Sequence, residues 1–127
     1  GGRSADDELR PEDEPFDPRG SAGAAMQWTT RGRLRAAQLP VDRGRWRYVP
    51  PESWDASQPL PRGEQGGILD KFGNEWVRGR PTSRDPAGFE WDVQLGRHAT
   101  DDFRAQSPDG FHVNVSTEGT ITHGGDR

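Results

Sequence analysis

No cysteine occurs among the 127 residues, which removes disulfides and thiolate metal sites and excludes a stapled secreted scaffold. No apolar run approaches the roughly 20 residues that a membrane span needs, and no signal-peptide hydrophobic region is present. Methionine occurs once, at Met26, so the expectation is a piece of a longer chain. Hydrophobic residues make up only 28%, against 17 glycines and 11 prolines, so any core must be small. Aromatic rings supply what aliphatic residues do not. Trp28, Trp46, Trp54, Trp76 and Trp91, with five Phe, carry much of the available apolar area, since each buries about 150–250 Å². The length allows one domain and little more.

Charge is unevenly spread. Residues 1–27 hold three Arg against seven acids, residues 28–47 hold six Arg against Asp42 alone, and residues 48–127 hold eight Lys or Arg against thirteen acids. The basic stretch can meet phosphates, solubilise a strand edge or pair with the acids of the body. Residues 1–26, rich in Pro, Gly and acid and without periodicity, read as a disordered linker, and residues 27–127 as the folded domain. "RLRAAQL" (33–39) predicts two helical turns stopped by Pro40. "GRWRYVPP" (44–51) alternates like a strand, and the Pro-punctuated run that follows reads as a loop anchored by Trp54 and Leu60. "GILDKFGNEWVRG" (67–79) reads strand, turn, strand, with Gly73 supplying the left-handed residue. "FEWDVQL" (89–95) alternates strictly, with Phe89, Trp91, Val93 and Leu95 inward and Glu90, Asp92 and Gln94 outward. Thr100 can cap a helical turn at "TDDFRA". "FHVNVSTEGTITH" (111–123) predicts a hairpin with Phe111, Val113, Val115 and Ile121 toward the core and Gly119 in its loop. The fold expected is α+β, a short N-terminal helical segment followed by a twisted antiparallel β-sheet.

The candidate chemistry is narrowed by elimination. His98, His112 and His123 share no i, i+4 spacing, and His112 with Asp92 is too small a set for zinc. No Gly-rich loop follows a strand and opens a helix, and no G-x-S-x-G elbow exists. Acid–base work by histidine remains, with carboxylate and guanidinium helpers. That set suits RNA cleavage, in which the 2′-hydroxyl attacks its own phosphate without a metal. The plain alternative is that Glu90, Asp92, Gln94, His112, Asn114 and Ser116 form the wet face of a sheet, and that His123 is merely half-buried and satisfied.

The blocks "DKFGNEWVRG", "FEWDVQL" and "DGFHVNVSTEGTITH" together resemble the C-terminal toxin domains of bacterial polymorphic toxins, in the group called polymorphic toxin type 17, over about Trp46 to His123. The resemblance implies the barnase/colicin-ribonuclease/RelE-like nuclease fold and a metal-independent endoribonuclease that needs no cofactor. It implies catalytic roles for His112 and His123 with Asp92 and Glu90. Lys71, Arg78, Arg80, Arg84, Gln94, Asn114, Ser116 and Thr122 are then the substrate-binding candidates, with Lys71 and the 78–84 loop as a basic rim. The partners implied are an RNA, tRNA or rRNA among the choices, and a cognate immunity protein. The domain is expected as a monomer away from membranes, delivered by a larger Rhs or contact-dependent effector and acting in the target-cell cytoplasm. The sequence departs from the family pattern at the basic loop "RGRPTSRDPAG" and at Phe111. Other readings are a toxin of another enzyme class, such as an ADP-ribosyltransferase or a metal-dependent DNase, and a non-catalytic protein-binding module.

Overall fold

The structure is a computed structural model that describes residues 28–83 and 85–122. The expected linker at 1–26, Arg84 and His123 lie outside the described residues. Helix α1 spans Thr30–Ala36 and begins three residues before the predicted segment, because the Thr29 hydroxyl accepts the Gly32 N–H at 2.9 Å. It ends where Gln38 turns left-handed (φ 67°), with the Leu39 N–H reaching back to the Leu34 carbonyl at 3.1 Å. This is the C-cap normally given to glycine, followed at once by Pro40.

Residues 44–51 form no strand, contrary to the expectation from their alternation. The Trp46 N–H donates to the Gly119 carbonyl and the Tyr48 N–H to the Pro40 carbonyl. These partners come from two different segments, so no ladder forms. The side chains still alternate, with Tyr48 buried and Arg45 and Arg47 exposed. The loop that follows is anchored as expected, by buried Trp54 and Leu60.

Four antiparallel strands follow in spatial order β1-β2-β3-β4: β1 Ile68–Leu69, β2 Glu75–Pro81, β3 Phe89–Gln94 and β4 His112–Val115. Gly73, at φ 79°, makes the turn between β1 and β2. Helix α2, Asp101–Arg104, carries the Thr100 cap. The chain is therefore α+β, as its pattern predicts. The inward residues of the sheet, Ile68, Trp76, Phe89, Trp91, Val93, Val113 and Val115, meet Leu34, Leu39, Tyr48, Trp54, Leu60 and Phe103 in one core on one side of the sheet. Trp76 joins Tyr48 and Trp91 edge-to-face, at ring separations of 5.8 and 6.2 Å, a geometry worth about 0.5–1.5 kcal/mol per pair beyond the area buried.

Phe111 departs from its predicted inward place and is 74% exposed. Its N–H is taken by the Asp109 carboxylate in a turn, so the backbone bends before the pleat of β4 begins.

A buried carboxylate organises the β1–β2 turn. Asp70 accepts the N–H groups of Phe72 and Asn74, the Asn74 amide and the Trp76 indole N–H, all at 2.9–3.0 Å. Burial pushes its carboxyl above the ordinary range, and these donors pull it only part of the way back. Burial first, and the Asp70 charge second, raise the Tyr48 phenol far above its usual value, so it stays a donor to the Leu69 carbonyl.

Candidate functional site

The face of the sheet away from the core is built by the polar half of each alternation. Register places Asp92 between Val77 and Asn114, and Gln94 between Glu75 and His112. At the far end of β2 the pairing slips between Arg78 and Pro81, so that three steps on β2 match two on β3. Such a bulge bends its strand and re-aims a side chain. Here it brings Arg80 to the same cleft as Glu90. Gly79 admits the close approach, because a Cβ there would lie 2.8 Å from the Glu90 carbonyl oxygen. The resulting cleft, about 680 Å³, is lined by Glu90, Asp92, His112 and Asn114 on one side and by residues 78–82 on the other.

His112 is half-buried at the start of β4, and its Nδ1 lies 2.9 Å from the Asp109 carboxylate. Asp109 is itself fixed. One of its oxygens accepts the N–H groups of Phe111 (2.8 Å) and His112 (3.2 Å) and the Ser107 hydroxyl (3.0 Å), while the other meets the imidazole. The Phe111 N–H, then the His112 N–H, the Ser107 hydroxyl and the imidazole charge hold its carboxyl down at about 2. It is therefore charged at every pH where the domain would work. A histidine with one nitrogen held by a carboxylate has its tautomer and ring plane set, and exchanges protons through the other.

Asp92 and Glu90, the carboxylates expected to assist His112, lie farther from it in the register than Asp109 does. His112 is opposite Gln94, so Asp92 is a diagonal neighbour, with such pairs separated by about 7–8 Å. Glu90 is a further two residues along β3, about 7 Å more. Asp109 escapes a reading of the sequence because "PDG" reads as a turn. Its signal is an aspartate three residues before a histidine that opens a strand.

The remaining candidates fall in three groups. Asp92, Gln94 and Asn114 share the cleft face, with Gln94 donating to Asp92 at 3.1 Å. Arg78 borders the cleft, yet its guanidinium lies over the Phe89 ring at 4.2 Å and donates to the Gln38 side chain, on the core side of β2. Lys71 sits in the β1–β2 turn beside Glu52 and does not line the cleft. Ser116 is buried, its hydroxyl bonded to Thr120 and to the N–H groups of Glu118 and Thr120 in the turn after β4. Thr122 donates its N–H to the Asn114 carbonyl, and its buried hydroxyl has no hydrogen-bond partner among the described residues. Among the described residues no three His, Asp or Glu side chains converge as a metal set, and no helix is long and apolar enough to cross a membrane.

The family model described as Novel toxin 17 matches residues 28–123, which include every element of the fold and the whole of the cleft. No curated protein and no solved structure matches.

Proposed function

Because this chain belongs to the novel toxin 17 family, we propose that its toxic act is cleavage of RNA by acid–base transesterification. The observation that carries this reading is the Asp109–His112 pair opening onto a cleft that also holds Asp92, Asn114 and Arg80. His112 takes the proton of a 2′-hydroxyl. The 2′ oxygen then bonds to the adjacent phosphorus, and the bond from phosphorus to the 5′ oxygen breaks. The leaving 5′ oxygen receives a proton, so the products are a 2′,3′-cyclic phosphate and a 5′-hydroxyl. His123, assigned by the resemblance alone, is the candidate for the second proton transfer. Arg80 faces the phosphoryl oxygens as charge builds on them. Asp92, Gln94 and Asn114 offer acceptors and donors to the sugar and base, and Glu90 lies at the Arg80 end.

Neutralisation by a cognate immunity protein and action as a monomer in the target-cell cytoplasm complete the proposal. The test is incubation of the purified domain with total RNA in EDTA, with the new ends analysed. Cleavage to cyclic phosphates supports the reading, and RNA left intact across tRNA, rRNA and mRNA overturns it.

A further inference from the structure

A second concave surface lies on the other side of β2. This groove, about 470 Å³, runs between α1, the 62–67 loop and β2, and it draws Arg33, Arg62 and Arg78 together. None of the three meets a carboxylate among the described residues, whereas Arg31 and Arg35 pair with Asp42, Arg43 with Glu118, and Arg45 with Asp102. Two of the three guanidinium groups are positioned. Arg62 donates to the Gly66 carbonyl at 3.2 Å, and Arg78 is stacked on Phe89 and held by Gln38 at 3.0 Å. Gln38 is the one non-glycine residue with positive φ among those described, and its carbonyl also receives the Trp91 indole N–H. The strained cap of α1 thus serves to aim an arginine.

The groove communicates with the His112 cleft across a strand edge. β1 pairs only with Glu75 and Trp76, so residues 77–81 of β2 have no neighbouring strand on that side among the described residues. Arg78 and Arg80 would share a face in a regular strand. The bulge between Arg78 and Pro81 places Arg80 in the cleft, while Arg78 lines the groove and borders the cleft as well, at the open edge between them. The large apolar side chains of the groove, Leu60, Ile68, Trp76 and Trp91, are each no more than 5% exposed, while the smaller Ala37 and Val77 are half-buried. The groove therefore presents three guanidinium groups and no exposed large apolar side chain, which suits a polyanion better than the anchor residues of a protein partner.

We infer that this groove is a second subsite for RNA, binding the phosphates that lie beyond the scissile bond after the strand has crossed the open edge of β2. This rests on the ribonuclease reading and extends it, because it makes the toxin prefer a substrate several nucleotides long over a dinucleotide. The probe is a fluorescent single-stranded 12-mer with 2′-O-methyl groups, which cannot undergo the attack. Its affinity is measured by anisotropy from 50 to 300 mM KCl. Arg33→Gln and Arg62→Gln should each lower the slope of log K against log salt by about 0.7, the value for one phosphate contact on a single strand. Arg97→Gln, exposed and outside both concave surfaces, should leave it unchanged. Cleavage of a dinucleotide should be the same in the double variant as in the wild type. If total RNA is cut but the double variant keeps the wild-type slope, the groove is not an RNA subsite. The subsite is equally overturned if the double variant loses only its neutralisation by the immunity protein, which would make the groove a protein interface. Intact total RNA instead overturns the ribonuclease reading itself.

Discussion

His112→Gln keeps a hydrogen-bonding side chain and removes the titratable proton, so it separates chemistry from folding. It should lose about 10²–10⁴-fold in cleavage rate with an unchanged thermal midpoint, and a rate near wild type would remove His112 from the mechanism. Asp109→Asn is the subtler probe. The asparagine oxygen can still accept the Phe111 and His112 N–H groups, but an amide N–H facing Nδ1 forces the imidazole into the other tautomer. A rate loss of at least about 10²-fold at an unchanged KM is expected, by the logic of a carboxylate that orients a catalytic histidine. Asp109 also has a signature in acid. Its folded pKa of about 2 lies below the unfolded value, so its stabilisation is present above about pH 4 and disappears as pH falls toward 2. Chemical denaturation of the Asn variant should lose less stability than the wild type across that window. At this scale the sequence is half legible. Alternation puts His112, Asp92 and Asn114 on one face, because a pleated strand allows nothing else. It does not reveal Asp109, whose contact is made by a turn rather than by strand pairing.

Elements are legible where one local rule suffices. Strict period-2 alternation gives β3, Thr100 gives α2, and Gly73 gives the turn between β1 and β2. Residues 44–51 show the limit of that reasoning, since alternation states which side chains face the core but not whether a neighbouring strand exists. Phe111 shows another, since the turn built on Asp109 overrides alternation at the first step of β4. The bulge that places Arg80 has no sequence signal beyond Gly79. The "DKFGNEW" block turns out to carry an element-level task. Asp70 joins β1, the turn and the Trp76 indole through four donors, and Asn74 passes the connection to the Gly96 N–H at 2.7 Å. Asp70→Asn removes a buried charge but sets an amide N–H against donors that need acceptors. The net effect should be a loss of about 1–3 kcal/mol in urea unfolding. A variant as stable as the wild type would mean that the relief of burial outweighs the lost acceptor. Because burial raises the Asp70 pKa, its contribution favours the fold at lower pH and weakens as pH rises through the folded value, opposite in sign to that of Asp109.

Across the whole molecule, the segment after α1 is fastened to the turn after β4. Gly44 (φ 79°) and Gly119 (φ 84°) pack so closely that a Cβ on Gly119 would fall 2.4 Å from the Arg43 carbonyl oxygen. The Trp46 N–H and the Arg43–Glu118 ion pair close the same seam. Gly119→Ala must adopt a left-handed backbone and push the seam apart, for an expected cost of about 2–4 kcal/mol. A melting temperature within a degree of wild type would show that the seam yields freely. This seam joins positions 75 residues apart, and it does so through backbone contacts and one ion pair, in a chain without a covalent cross-link. Closing so long a loop costs chain entropy before any contact repays it, which makes the seam a late event in folding. β4 lies just before the Gly119 turn, so the seam ties the strand that carries His112 to the segment after α1. No disulfide would have to be reduced before such a domain could be unfolded and folded again.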